Sequence, residues 1–267
     1  MPPSDRPYEQ GDWIVVTLGE LVGYLDERLE VGRFQDYCPN GLQVEGHSEV
    51  RRIVGGVTAC RALLEAAASR QADAVLVHHG YFWKGEDPRV VGMKAARLRL
   101  LLNHGMSLLA YHLPLDFHPE LGNNVQLAKR LGLSVEGPLA LDGGAEKGLY
   151  GHLGEPVTAV AFAARIAQAL GRVPLHVSAA DSRRIRRVGW CTGAAQGFIE
   201  EAAARGLDAY VSGEISEYTV HVARELGVHY FAAGHHATER YGVQALGRHL
   251  VERFGIVFEF VDIDNPV

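Results

Sequence analysis

Apolar positions three and four apart open the patterned part of the chain. Leu18, Leu21, Val22, Leu25 and Leu29 share one face, which predicts a helix over 17–29. Short continuous apolar runs follow. Ile53 to Val57 and Ala74 to Val77 have the length of buried strands, and the Ala-rich stretch 62–69 between them reads as helix. A helix over 90–103, a strand over 107–111 and a helix near 124–131 complete this series. A second series starts at Arg187, with Val188–Cys191 as strand, 198–204 as helix and 208–214 as a strand with a polar end. A helix over 220–226 and the strand 228–233 come next, and then a helix with Val243, Leu246, Leu250 and Phe254 on one face. The stretch 137–186 between the series is Gly-rich. It carries a helix over 157–170 and possible strands near Leu149 and Leu175, and it reads as a small insert or arm.

The two series match each other. Glu65-Ala66-Ala67-Ala68 resembles Glu201-Ala202-Ala203-Ala204, and Asp73-Ala74 resembles Asp208-Ala209. His78-His79 falls opposite Gly213-Glu214, and His112 to Asp116 opposite His235 to Glu239. This is the pattern of an internal duplication. It divides the chain into a flexible tail (1–16), a first α/β half (17–136), the insert (137–186) and a second α/β half (187–267). As related βα units, the halves can turn their polar strand ends toward one cleft.

Those strand ends carry the candidate chemistry. They read His78-His79-Gly80, then His112 with Asp116, then His235-His236 with Glu239. A single histidine at a strand end is more often a core or surface residue than a ligand, but three such ends in one chain reverse that balance. Adjacent histidines point to opposite faces of an extended strand. At a frayed end both can turn into one cavity and serve two neighbouring metals. With no cysteine nearby, the donors are nitrogen and oxygen, which suits zinc, iron, manganese, nickel or cobalt without choosing among them. Two divalent ions over two carboxylates leave net positive charge, able to lower the pKa of water and clamp an anionic substrate.

Neighbouring residues have open roles. The loop Tyr81-Phe82-Trp83 could stack a flat base or simply pack, and Lys84 reads first as a solvated lysine and second as a phosphate contact. His112 could carry protons, and Glu214 could be a base or the partner of a ligand. Asn123 and Asn124 read as helix caps before substrate contacts. Asp36 to Gly46 contains Pro39-Asn40-Gly41, and its residue types favour a plain turn over a pocket wall.

Composition narrows the class. Of 267 residues, 47% are hydrophobic and 22% charged, an ordinary globular balance. The net charge of −6 and the lack of a basic run argue against a nucleic-acid surface. There is no run of ~18 apolar residues for a membrane span. Residues 1–12 are polar, without the apolar core of a signal peptide. Cys38, Cys60 and Cys191 lie far apart, form neither a zinc knuckle nor a disulfide framework, and read as structural thiols in a reducing cytoplasm.

The segments His78–Gly85, Tyr111–Asp116 and Gly234–Glu239 resemble the signature segments of the GTP cyclohydrolase I type 2 / NIF-three-like (YbgI-like) family. Asn40–Gly46 and Gly122–Asn124 are similar to it too, so the resemblance runs from about Thr17 to the end. It implies a duplicated α/β fold of two intertwined halves with mixed sheets, a dinuclear metal site and a ring-shaped homohexamer. Carried over by motif, the ligands are His78, His79, Asp116, His235 and Glu239. His235 is preferred to His236, because distant members often replace the latter. The ligand positions show no departure from the pattern. The middle region is short, so the larger insert domain of some members is absent. The implied function is a cytoplasmic metal-dependent hydrolase acting on a small molecule. Its most concrete form is attack of activated water on C8 of a guanine nucleotide, opening the imidazole ring; another amide or phosphate bond is equally allowed. His112 or Glu214 would move protons. The alternative is a non-catalytic, metal-stabilised ring that binds or regulates a macromolecule.

Overall fold

The computed structural model describes residues 15–142, 145–179 and 183–267. The expected tail therefore lies outside the described residues up to position 14, while Val16 already pairs with Val50. The first half runs β1 (Val16–Thr17), α1 (Leu18–Arg28), β2 (Gly41–Val44), β3 (Glu49–Val50), β4 (Arg52–Thr58), α2 (Arg61–Ser69), β5 (Ala74–His79), α3 (Gly92–His104), β6 (Ser107–Ala110), α4 (Leu113–Phe117) and α5 (Asn123–Leu131). The middle supplies β7 (Leu133–Asp142), β8 (Ala145–Val157), α6 (Ala159–Leu170) and β9 (Leu175–Val177). The second half runs β10 (Ile185–Cys191), α7 (Ile199–Ala204), β11 (Ala209–Ser212), α8 (Glu217–Leu226), β12 (His229–Ala232), α9 (His235–Phe254) and β13 (Val257–Phe260).

Local chemistry explains the element ends. The Thr17 hydroxyl accepts from Glu20 N while the Glu20 carboxylate takes the Thr17 N–H, a capping box that starts α1. Glycines in the left-handed region stop α3, α5, α6, α8 and α9.

Two mixed sheets result. One has the order β13-β4-β5-β6-β2, with β13, β4, β5 and β6 mutually parallel and β2 antiparallel at the edge. The other has the order β7-β8-β10-β11-β12-β9, with a parallel centre of β10, β11 and β12. Strands from the stretch expected as an insert are hydrogen-bonded into this second sheet, β8 to β10 and β9 to β12. Helix α6 adds Phe162, Ile166 and Leu170 to its core.

The duplication is visible bond by bond. Ile53 pairs with Ala74 as Val188 pairs with Ala209. The Asp73 carboxylate accepts the N–H groups of Arg51 and Arg52 at 2.9 and 3.0 Å, and the Asp208 carboxylate those of Arg186 and Arg187 at 2.9 and 2.8 Å. Two of the expected sequence matches shift by one residue. Ala72 N bonds Ala67 O as Leu207 N bonds Ala202 O, so Glu65 corresponds to Glu200 and not Glu201. Tyr111 N bonds Val77 O as Ala233 N bonds Ser212 O, so His112 corresponds to Gly234 and Asp116 to Thr238. Alanine-rich helices align equally well in either register, and the shared spacing of four points to the register that the ladder does not follow.

The halves exchange helices. Leu127, Ala128 and Leu131 of α5 are buried with Trp190, Val211 and Phe231 of the second sheet. Val243, Leu246 and Leu250 of α9 are buried with Ile53, Leu76 and Leu109 of the first. Each half thus completes the other's core, and the carboxyl ends of the parallel strands meet between them.

Candidate metal centre

His78 and His79 end β5. His78 is fully buried, and its Nδ1–H donates to the Tyr111 carbonyl at 2.9 Å. Since a carbonyl only accepts, Nε2 is turned toward Asp116 Oδ1 and Glu239 Oε1, at 3.5 and 3.6 Å. His79 Nδ1 sits 3.2 Å from the Thr58 hydroxyl, and its Nε2 is 3.3 Å from Glu239 Oε2. The strand end thus turns both rings toward one place, with centroids 4.5 Å apart. His235 opens α9. Its Nδ1 lies 2.7 Å from Glu214 Oε1 and its Nε2 3.1 Å from Glu239 Oε2, one helical turn on. His236 points elsewhere, to Asp262 at 2.7 Å.

Asp116 completes the cluster and is held from behind. Its Oδ1 accepts from the Asn123 amide at 3.0 Å and the Thr192 hydroxyl at 3.3 Å. Asn123 in turn accepts from Gly242 N at 2.8 Å, and Asn124 from Thr192 N at 3.1 Å. Neither asparagine side chain caps α5, and Asn124 lines the cavity beside the cluster. Both are buried amides that lock Asp116 to the second half.

The five side chains form two trios, His78/Asp116/Glu239 and His79/His235/Glu239, and in each the ligating atoms lie within 4.8 Å of one another. Glu239 belongs to both and is only 3% exposed. Buried His78 Nε2 and Glu239 Oε2 have no hydrogen-bond partner among the described residues. Buried polar atoms are rarely left so, and two of them facing one donor-rich point fit a cation. The electrostatics agree. Burial alone would lower His78, but Asp116 and Glu239 outweigh it and raise it to about 9. His235 is raised to about 9 in the same way, against burial, by Glu239 and Glu214. Burial, helped by His78, lowers His79 to about 3, leaving the neutral imidazole that ligates metals. Burial opposes ionisation of Glu239, yet His78 and His235 hold it well below the usual carboxylate range. Asp116 is raised, by burial first and by Glu239 beside it. The carboxylates draw positive charge to this point, and a divalent cation supplies it more fully than a proton.

The cluster opens on a cavity of about 1860 Å³ lined by His79, His112, Asp116, His235 and Glu239, with Trp83 and Tyr37 at its side. His112 Nδ1 is 2.7 Å from Asp36 Oδ1, and its ring lies 5.0 Å from those of His78 and Trp83. The aromatic loop divides its work. Tyr81 packs, its hydroxyl donating to Ala59 O at 2.6 Å, while Trp83 faces the cavity. Lys84 is exposed and outside the lining. Glu214 is engaged with His235, the outer of its two expected roles.

Sequence reasoning passed over several residues here. The 36–46 segment is a pocket wall as well as a turn. Asp36 holds His112, Asn40 Oδ1 accepts His112 N at 2.7 Å, and Gln43 brackets the Tyr81 backbone at 2.7 and 3.1 Å. The Asp36/Asn40 spacing was a faint signal, but its meaning depends on β2 pairing with β6, which ends at the site. Gly193 has φ +68°, and a Cβ there would collide with the Glu239 carboxylate. Asp36, Cys38 and His112 also gather closely. Asp36 is already committed to four donors, however, and burial with Asp36 nearby pushes the Cys38 thiol up to about 12, so no thiolate is on offer.

Fold and cluster together define a duplicated α/β protein with a candidate cation centre between its halves. Residues 16–266 match the family described as Duf34/NIF3 (NGG1p interacting factor 3), and the chain belongs to that family. A Pseudomonas aeruginosa relative named "GTP cyclohydrolase 1 type 2 homolog" is 60% identical over 95% of this chain and 100% of its own. The solved structure of protein ybgI, titled as of unknown function, superposes with TM-score 0.91 at 48% identity over 94% of this chain and 100% of its own. A Thermus thermophilus protein does so with TM-score 0.85 at 35% identity over 94% and 100%. Among the described residues no helix is long and apolar enough to cross a membrane.

Proposed function

We propose that this protein is a metal-dependent hydrolase with two divalent transition-metal ions, His78, Asp116 and Glu239 holding one and His79, His235 and Glu239 the other. The observation that carries the reading is the division of Glu239, whose Oε1 faces His78 while Oε2 faces His79 and His235. One carboxylate shared by two trios is the donor arrangement of a two-metal site. Such ions, when bound, supply Lewis acidity that polarises the bond under attack and makes water acidic near neutral pH.

The chain's own residues do the rest. Glu214 turns the His235 ring so that Nε2 meets Glu239, and Thr58 does the same for His79. Gly193 keeps the Glu239 carboxylate in place by leaving it room. Trp83 offers a flat wall against a planar substrate. His112, beside the cluster and open to the cavity, accepts a proton from the attacking water or returns one to the leaving group at its Nε2. Relatives named as GTP cyclohydrolase homologues support opening of a guanine ring as the first reaction to test.

The test is metal-loaded protein against GTP and a panel of small amides and phosphate esters, with products read by mass spectrometry. Glu239→Gln, which removes the shared charge, is expected to lose most bound metal by elemental analysis and all metal-dependent product. Equal metal in wild type and Glu239→Gln would remove Glu239 from the ligand set. Loaded wild type that converts no compound would end the hydrolase reading.

A further inference from the structure

The hydrolase reading uses His112 but leaves unexplained why its ring stands as it does. The answer lies in the 36–40 turn. The Asp36 side chain is 3% exposed, beside a cavity whose mouth includes Tyr37, which is 63% exposed. Its carboxylate accepts four hydrogen bonds. Oδ1 takes His112 Nδ1–H at 2.7 Å and Tyr37 N–H at 2.6 Å, and Oδ2 takes the Asn40 amide and Leu113 N–H, both at 2.9 Å. Asn40 Oδ1 accepts His112 N–H at 2.7 Å, so the same turn fixes the backbone from which the ring projects. Burial alone would raise Asp36, yet the bonds from His112 and Asn40 hold it down at about 2. An ionised carboxylate can only accept, so the nitrogen facing it must carry the proton. In the neutral ring that makes Nε2 the atom with a lone pair, in an imidazole that packs beside His78 and His79 and lines the cavity.

We propose that Asp36 is the positioning carboxylate of this site, fixing both the orientation and the tautomer of His112 so that Nε2 is presented to the substrate. Asn40 sets Asp36 from behind, and the pair explains why a turn so far from the strand ends in sequence closes one side of the cavity. Asp36 touches neither substrate nor the cation cluster and acts only through His112. The proposal rests on the hydrolase reading for its catalytic consequence, but its structural core stands apart from it.

The test therefore has two readouts on the full-length, zinc-loaded chain. Ring-nitrogen NMR of isotope-labelled histidine reports which nitrogen of His112 carries the proton. Wild type is expected to show it on Nδ1. In Asp36→Asn, whose side-chain amide no longer requires a donor from the ring, the proton is expected to move to Nε2 in part or in full. Asp26→Asn is the control for a merely structural effect: Asp26 is a nearby carboxylate bonded to Tyr111 at 2.9 Å, and its loss should leave the His112 tautomer alone. The second readout is kinetic, with GTP and p-nitrophenyl phosphate as probes. Asp36→Asn is expected to lower kcat about 10–100-fold with KM little changed. An unchanged tautomer in Asp36→Asn, the same change in Asp26→Asn, or unchanged kcat on a probe that wild type converts would overturn the proposal. Should Asp36→Asn fail to fold, the wild-type spectrum decides alone, since a proton on Nε2 there is incompatible with the assigned role. Loaded wild type that converts neither probe sinks the hydrolase reading, while the tautomer result still stands or falls by itself.

Discussion

The two halves share a backbone and divide the chemistry. In both, an aspartate clasps two N–H groups of the preceding strand, Asp73 in one and Asp208 in the other. In both, three parallel strands end at the same cleft. What stands at those ends differs. The first half presents His78 and His79 where the second has Gly213 and Glu214. A Cβ at Gly213 would lie 2.7 Å from His235 Cα, so a second histidine pair could not be built there once α9 starts where it does. Thr58 orients His79, while its counterpart Gly193 only makes room for Glu239. The second half gives His235 and Glu239 from a 20-residue helix that packs on the other half's sheet, and the first gives Asp116 from a helix of 5. Duplication supplied a symmetric frame. The candidate centre is asymmetric, and a side chain at Gly213 that matched His78 would run into the start of α9.

On this account neither half can hold metal alone, and the largest effect should be the loss of coupling between them. A metal bound only by the native state stabilises it by roughly 2.7 kcal/mol at a hundredfold excess over the dissociation constant. His78→Ala and His235→Ala should each forfeit most of that term, and the double substitution little more. Thermal melts of the four proteins, with metal and with chelator, decide it. Additive losses that persist in chelator would mean two separate structural histidines and no shared centre.

The frame itself predicts an effect of the same kind in each half. Asp73→Ala and Asp208→Ala each strand two backbone N–H groups, at a cost of about 1.5–3 kcal/mol. The Asp73 change should be the costlier, because that residue is the more buried of the two. Both should leave metal content per folded chain unchanged. Denaturant melts with elemental analysis would show it, and metal loss in either variant would tie the clasp to the centre after all. The smallest effect separates two glycines. Gly193→Ala, with a left-handed backbone and Glu239 in the way, should destabilise by about 1–2 kcal/mol and weaken metal binding. Gly154→Ala, where a Cβ meets nothing within 4 Å, should do neither. Equal behaviour of the two would remove Gly193 from the support of Glu239.

The elements and the donor types were legible in the sequence alone. Buried strands of four to seven residues can be read because continuous apolar runs leave little alternative, and β4, β5, β6, β11 and β12 fall where those runs predict. Histidine and carboxylate at strand ends stood out for the same reason: polar groups that end an apolar run must meet water, each other or a metal. The strand β13 went unread, since its Val257-Phe258-Glu259-Phe260 run carries no sign of the first-half strand beside it. The rest belongs to tertiary packing. The helix exchange, in which α5 crosses to one core and α9 to the other, depends on packing between residues far apart in the chain, such as Val243 against Ile53. The one-residue shift that matches His112 to Gly234 instead of His235 is set by the hydrogen-bond ladder, to which spacing is blind. Likewise Asp36, Asn40, Thr58 and Gly193 have meaning only relative to a partner that folding brings to them. A residue that donates to a metal announces itself by type. A residue that aims another is ordinary in sequence, because its role is a direction in space, and direction exists only after the chain has folded.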